Sequence, residues 1–238
     1  MRKEVFLMKG KLIIIDGSDG SGKATQSLKL FQRLQQEGYK VKKVEFPDYD
    51  SDSSALIKMY LNGSFGSDPN EVNPYVASSF YAVDRYASYV MKWKSFYEEG
   101  GIILCDRYTT SNMVHQAAKI QDEKEKEKFL NWLWDYEFNL FGLPVPDAVV
   151  FLDVPAAYSK KLMEERLNKF TGDEKKDIHE RNLDFLQNSY NNAKKIAEKY
   201  NWIRINCVEN DTMYSIEEIH DKIYESIRKL LENNGNKA

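Results

Sequence analysis

The residues Gly17-Ser18-Asp19-Gly20-Ser21-Gly22-Lys23 carry the densest chemical signal in the chain. They satisfy G-x-x-x-x-G-K, the spacing of a phosphate-binding loop. Each residue type has a physical reason to be there. Glycines let the backbone curl so that successive N–H groups converge on an anion. A following helix adds the partial positive charge of its N-terminus, and Lys23 is long enough to reach the outer phosphates of a nucleotide. The loop contributes Gly17, Ser18, Asp19, Gly20, Ser21, Gly22 and Lys23, and the next turn adds Ala24 and Thr25. Where such loops place a Ser or Thr on Mg²⁺, this chain has Ala24. Thr25 lies about 100° further round a helix and does not replace it. A metal therefore needs another anchor. Asp106, at the end of the apolar run Ile102-Ile103-Leu104-Cys105, is the first candidate, and Asp19 the second.

The elements that must position these groups follow from periodicity and punctuation. Leu12-Ile13-Ile14-Ile15 is a continuous apolar run, as expected of a strand buried on both faces. Lys23 to Glu37 places Ala24, Leu28, Phe31 and Leu34 on one helical stripe, with Gly38 as its stop. Further strands are expected at 41–46, 102–105, 148–152 and 202–205. Asn73-Pro74 caps a long helix running to about Glu98. Other helices are expected near 53–61, 111–119, 124–141, 157–168 and 177–200. Ser215-Ile216-Glu217-Glu218 is a capping box that opens the last helix. Strands alternating with helices predict an α/β fold, a mostly parallel five-stranded sheet with helices on both faces. No linker or repeat divides the chain. Residues 1–9 read as a short extension, 10–232 as one domain, and 233–238 as a frayed tail.

Composition limits the partners. In 238 residues, Lys+Arg total 34 and Asp+Glu 37, a net charge of −3, which argues against an extended nucleic-acid surface. No apolar run is long enough for a membrane span. Two cysteines, Cys105 and Cys207, suit a reducing cytoplasm, and with three scattered histidines they give no zinc-site spacing. The 15 Tyr, 12 Phe and 4 Trp supply core and pocket walls.

From about Lys9 to Leu231, the chain resembles the thymidylate kinase family, whose fold is a P-loop kinase fold. The resemblance rests on Asp16 to Gln26, Phe46-Pro47, Phe80-Tyr81-Ala82-Val83-Asp84-Arg85, Asp106-Arg107-Tyr108 with Ser111 and Gln116, and Phe151-Leu152-Asp153-Val154-Pro155. It implies ATP as donor, dTMP as acceptor, Mg²⁺ as cofactor and a homodimer formed by helix packing. It also implies residue roles. Tyr81 stacks on the thymine and Arg85, one helical turn on, hydrogen-bonds its O4. Arg107 holds the acceptor phosphate, Phe46 and Asp19 border it, and Asn112 and Gln116 lie at the base. A lid at about 166–181 brings a cation to the transferring phosphoryl group, with Arg166 the first candidate and Lys169 and Arg181 the alternatives. Catalysis then falls to Lys23, Arg107 and Arg166.

The chain departs from the pattern in two further places. His115 replaces the tyrosine that contacts the sugar. Asp48-Tyr49 stands where an arginine follows Phe46-Pro47, leaving Lys58 and Arg166 as substitutes. Two rival readings remain. One is a kinase of the same fold for another nucleoside monophosphate or a deoxynucleoside, the latter needing Asp19 or Asp106 as a base. The other is a non-catalytic nucleotide-binding protein.

Overall fold

The computed structural model describes residues 9–164 and 177–232. The expected extension up to residue 8, residues 166–176 of the expected lid and the expected tail lie outside them.

Strand β1 (Lys11–Gly17) occupies the centre of the sheet because its apolar run can be buried on both faces. It is flanked by β3 (Ile102–Asp106) and β4 (Ala148–Asp153), with β2 (Val41–Glu45) and β5 (Ile203–Asn206) outside them. The order is β2-β3-β1-β4-β5 and every pairing is parallel. Register places Ile15 beside both Asp106 and Val150, so the phosphate loop and Asp106 emerge at the same edge of the sheet. This is the carboxyl edge, where open parallel sheets bind ligands.

Alternation within the strands sorts the core into two layers. Ile13, Ile15, Ile102, Leu104, Val150 and Leu152 meet Leu30 and Leu34 of α1 (Lys23–Gln36) and Ile219, Ile223 and Ile227 of α10 (Ile216–Glu232). On the opposite face, Leu12, Ile14, Ile103 and Cys105 meet Tyr89, Trp93 and Tyr97. Those aromatics lie on the long helix, which begins as α3 (Pro74–Ser88), widens into a π turn at Tyr89–Trp93, and ends as α4 (Lys94–Glu98). Asn73 caps it by accepting from the Tyr75 N–H at 2.9 Å.

Helices α2 (Ala55–Leu61), α5 (Thr109–His115), α6 (Glu123–Trp134) and α7 (Ala156–Glu164) complete the frame around the site. Helix α6 continues into a second π turn, Asp135–Leu140. Two local expectations are corrected. The helix expected over 111–119 ends at His115 and is followed by one 3₁₀ turn, Ala117–Lys119. The helix expected over 177–200 is two, α8 (Ile178–Arg181) and α9 (Leu183–Lys199). Asn182 separates them in an extended conformation, its side chain accepting from the Phe185 N–H at 2.9 Å. A short polar side chain that caps a helix competes with the helix before it. A hairpin, β6 (Val208–Glu209) and β7 (Thr212–Met213), turns through Asn210 and Asp211, both at positive φ. Asn and Asp tolerate that region better than other side chains.

Candidate active site

The phosphate loop runs from the end of β1 into α1. Gly22 occupies the N-cap of α1 at φ 84°, in the left-handed region. Gly20 also has positive φ, and a Cβ there would stand 2.3 Å from the Ser159 carbonyl oxygen of α7. Glycine is thus required at position 20 on two counts, conformation and close packing. The Lys23 ammonium is buried and donates to the Ser18 carbonyl at 2.7 Å, spanning the loop. Burial, reinforced by nearby Arg107, pulls Lys23 down to about 7, while Asp19, Asp106 and Asp16 pull the other way. The hydroxyls of Ser18 and Ser21 are buried without a hydrogen-bond partner among the described residues. The Ala24 side chain offers no oxygen, and Thr25 is exposed on the next step of the helix.

Asp16 organises the loop from beneath. It is fully buried, accepts from the Gly17 N–H at 2.8 Å, and takes hydroxyl donors from Thr110 and from Ser111. These bonds tie the end of β1 to the start of α5. Between them stands Arg107, a non-glycine residue at φ 67° whose N–H donates to the Ile15 carbonyl at 3.1 Å. Strain of this kind is a feature of functional turns. It turns the guanidinium towards the loop, where it forms an ion pair with Asp19. Burial would raise the Asp19 carboxyl, but the Arg107 charge overrides it and holds Asp19 well below the usual carboxylate range.

Beyond this pair opens a cleft. It is lined by Phe46, Pro47 and Tyr49, by Tyr81 and Arg85 of α3, and by Ser111, Asn112, His115 and Gln116. Asp177 and His179 line it as well. The structure therefore gathers Asp19, Phe46, Tyr81, Arg85, Arg107, Asn112, His115 and Gln116 around one space. Tyr81 meets Tyr60 edge-on, ring centres 6.4 Å apart. Arg85 is almost fully buried and paired with Glu137. Asn112 donates to the Ser78 carbonyl at 3.4 Å.

Position 115 reads differently from a tyrosine. Burial pushes the His115 imidazole down to about 4, with Arg107 and Lys23 acting in the same sense and Asp19 against, so the ring is neutral at pH 7. Its Nε2 lies 3.4 Å from a guanidinium nitrogen of Arg107, and its Nδ1 has no hydrogen-bond partner among the described residues. The ring stacks on Phe185 of α9. Asp48 turns away from the cleft: its N–H donates to Asp84 at 2.9 Å and its carboxylate pairs with Lys92. Tyr49 is the residue of that dipeptide that lines the cleft, whereas Lys58 is not among the lining residues described.

Sequence reasoning missed three contributors, Asp177, His179 and Glu137. Asp177 caps α8, accepting from the His179 and Glu180 N–H groups, while burial together with the Asp19 and Glu180 charges lifts its carboxyl to about 7. His179 shares a 2.8 Å hydrogen bond with the Tyr60 hydroxyl, to which Lys119 donates at 3.0 Å. Glu137 is fully buried beneath Arg85. The only sequence signal for Glu137 is an acidic residue between two aromatics, Tyr136 and Phe138, in a helical stretch. Of the expected lid cations, Arg181 is exposed and donates to the Asp177 carbonyl at 3.2 Å, while Arg166 and Lys169 lie outside the described residues.

Comparison with known proteins gives a consistent result. The family model described as thymidylate kinase matches residues 15–223. A probable thymidylate kinase of Pyrococcus horikoshii is 29% identical over 227 residues, 94% of this chain and 98% of the relative. The thymidylate kinase of Mycobacterium tuberculosis is 31% identical over 177 residues, 74% of this chain and 80% of the relative. A solved thymidylate kinase from Candida albicans superimposes with a TM-score of 0.69 at 23% identity, covering 94% of this chain and 93% of that one, which establishes the shared fold.

Proposed function

Because the chain belongs to the thymidylate kinase family, we propose how its own residues carry the phosphorylation of dTMP, the reaction of that family. The chain is a phosphotransferase, and its donor is ATP. The observation that carries the residue assignment is the Asp19–Arg107 pair, which joins the phosphate loop directly to the cleft. A donor phosphate in the loop and an acceptor phosphate beside Arg107 are then neighbours.

The acceptor oxygen is already anionic at neutral pH, so the transfer needs no strong base. Catalysis is positioning and charge neutralisation. Loop N–H groups and Lys23 hold the β- and γ-phosphates. Arg107 presents a planar fork to the acceptor phosphate. Tyr81 faces the thymine ring and Arg85 its O4, with Asn112 and Gln116 at the base edge and Phe46 on the opposite wall. His115, which lines the cleft, takes the sugar contact. The transition-state cation is assigned to Arg166 of the expected lid, which lies outside the described residues.

Mg²⁺ fits the donor set by its preference for oxygen. Asp106 at the end of β3 and the buried Ser18 and Ser21 hydroxyls are hard oxygen donors. Among the described residues no group of three acidic, His or Cys side chains could hold a metal, which suits an ion that keeps water and phosphate ligands. Asp106 is the residue assigned to it, with Asp19 second. When bound, the ion neutralises charge on the β- and γ-phosphates.

A homodimer is the proposed assembly. Val76, Val83 and Val90 recur every seven residues along α3 and its π turn, each about half exposed, beside an exposed Met91. Such a stripe is the expected seam for helix packing. None of the described helices is long and apolar enough to cross a membrane. Two free buried thiols support a cytoplasmic setting.

The decisive experiment measures ADP release with dTMP, dUMP, dCMP, AMP and thymidine side by side. Preference for dTMP is expected. Equal turnover of AMP, or turnover of thymidine but not dTMP, would overturn the acceptor assignment.

A further inference from the structure

Arg85 reaches the cleft with a partner already attached. Its Nε and one terminal nitrogen each donate to a different oxygen of Glu137 at 2.6 Å, a fork-to-fork pair. Its other terminal nitrogen leans on the Tyr108 carbonyl at 3.4 Å. The remaining N–H groups are left for the cleft that Arg85 lines and Glu137 does not. The Glu137 carboxylate is itself held, because the Thr109 hydroxyl donates to it at 2.7 Å. Its backbone is held as well, since the Leu143 N–H donates to the Glu137 carbonyl at 3.0 Å where the π turn Asp135–Leu140 ends. Such widened turns recur at functional sites.

Stability alone does not account for this pair. A buried ion pair is commonly no better than apolar side chains of the same volume. What it does provide is a cation whose orientation is fixed before any ligand arrives. We propose that Glu137 is a positioning residue for base selection, clamping Arg85 so that its free N–H edge meets a carbonyl oxygen at position 4 of a pyrimidine and not an amino group. The inference rests on the reading that Arg85 faces the base. An amino group there would set donor against donor, and the clamped guanidinium cannot turn aside to relieve it. Thr109 and the Tyr108 carbonyl belong to the segment just after Arg107, so the clamp also ties the base end of the cleft to its phosphate end.

The test compares Glu137→Gln with the unchanged chain by steady-state kinetics on dTMP and dCMP, with a thermal melt to establish folding. Glutamine keeps the shape but can accept at only one oxygen, so the fork is lost. The expected result is a KM for dTMP raised about tenfold, kcat within about threefold, and a dTMP-over-dCMP preference in kcat/KM reduced at least tenfold, the scale on which small misplacements act. Thr109→Val, which keeps both charges of the pair, should move the same quantities in the same direction by a smaller factor, and it decides the matter if Glu137→Gln melts below the assay temperature. A folded variant with unchanged KM and preference overturns the proposal. Arg85→Lys separates the two levels. If Arg85→Lys loses the preference and the Glu137 and Thr109 variants keep it, only the clamp is wrong. If Arg85→Lys also keeps it, the placement of Arg85 at the base is wrong and the clamp falls with it.

Discussion

Lys23 should make ATP binding depend on pH in a range where an ordinary lysine would not. Its ammonium is buried in the loop, 2.7 Å from the Ser18 carbonyl, and burial with the Arg107 charge lowers it from 10.5 to about 7. Nucleotide phosphates arriving beside it favour the charged form and raise it again. Above pH 7, binding must therefore take up a proton. At pH 8, where ATP itself is fully ionised, uptake should approach one proton per ATP. While the pH lies between the free and bound values, affinity should fall by up to tenfold per unit, about 1.4 kcal/mol. From pH 7 to 9 the loss is about fiftyfold, because about half of the lysine is already charged at the start. Isothermal titration in buffers of different ionisation enthalpy measures both quantities, with Lys23→Met as the control that cannot take up the proton. Asp177 and Lys119 also titrate near 7, and the control carries their contribution unchanged. Affinity constant within twofold from pH 7.5 to 9, with uptake equal to that of the control, would refute the coupling.

The remaining predictions test packing, recognition and assembly. Gly20→Ala forces a Cβ to 2.3 Å from a backbone oxygen at positive φ. It should cost roughly 2–5 kcal/mol in denaturant unfolding and weaken ATP binding. Gly22→Ala, at φ 84° with open space around the new Cβ, should cost only about 1–2 kcal/mol. Arg107→Lys keeps the charge but loses the fork, so kcat/KM for dTMP should fall about tenfold to hundredfold, read by coupled ADP release. Val83→Arg, on the exposed stripe of α3, should shift sedimentation towards monomer while the circular dichroism spectrum is kept.

Much of the fold was legible because its signals are local. The Leu12 to Ile15 run marked a buried strand, because it is short, rich in β-branched Ile and bounded by a glycine-rich turn. Asn73-Pro74 and the Ser215 capping box marked helix starts through bonds made within one turn. Asn182 is equally local, yet a polar residue inside a charged helical stretch reads as solvated face until its side-chain bond is seen. On the acceptor side, Tyr81, Arg85, Asn112 and Gln116 could be chosen through the family resemblance and i, i+4 spacing, and the structure places them in one cleft.

By itself the sequence determined the strand–loop–helix unit around Lys23, the alternation that makes a parallel sheet, and the residue types available for phosphate and base. These depend on chain neighbours and on periodicity. Only the tertiary structure decided what meets across the chain: Arg107 with Asp19, His179 with Tyr60, and Glu137 with Arg85 and Thr109. Their sequence separations are 88, 119, 52 and 28 residues. No local preference encodes such pairings; they arise because the sheet and its helices leave buried charges and hydroxyls no solvent, and each must find a partner within reach.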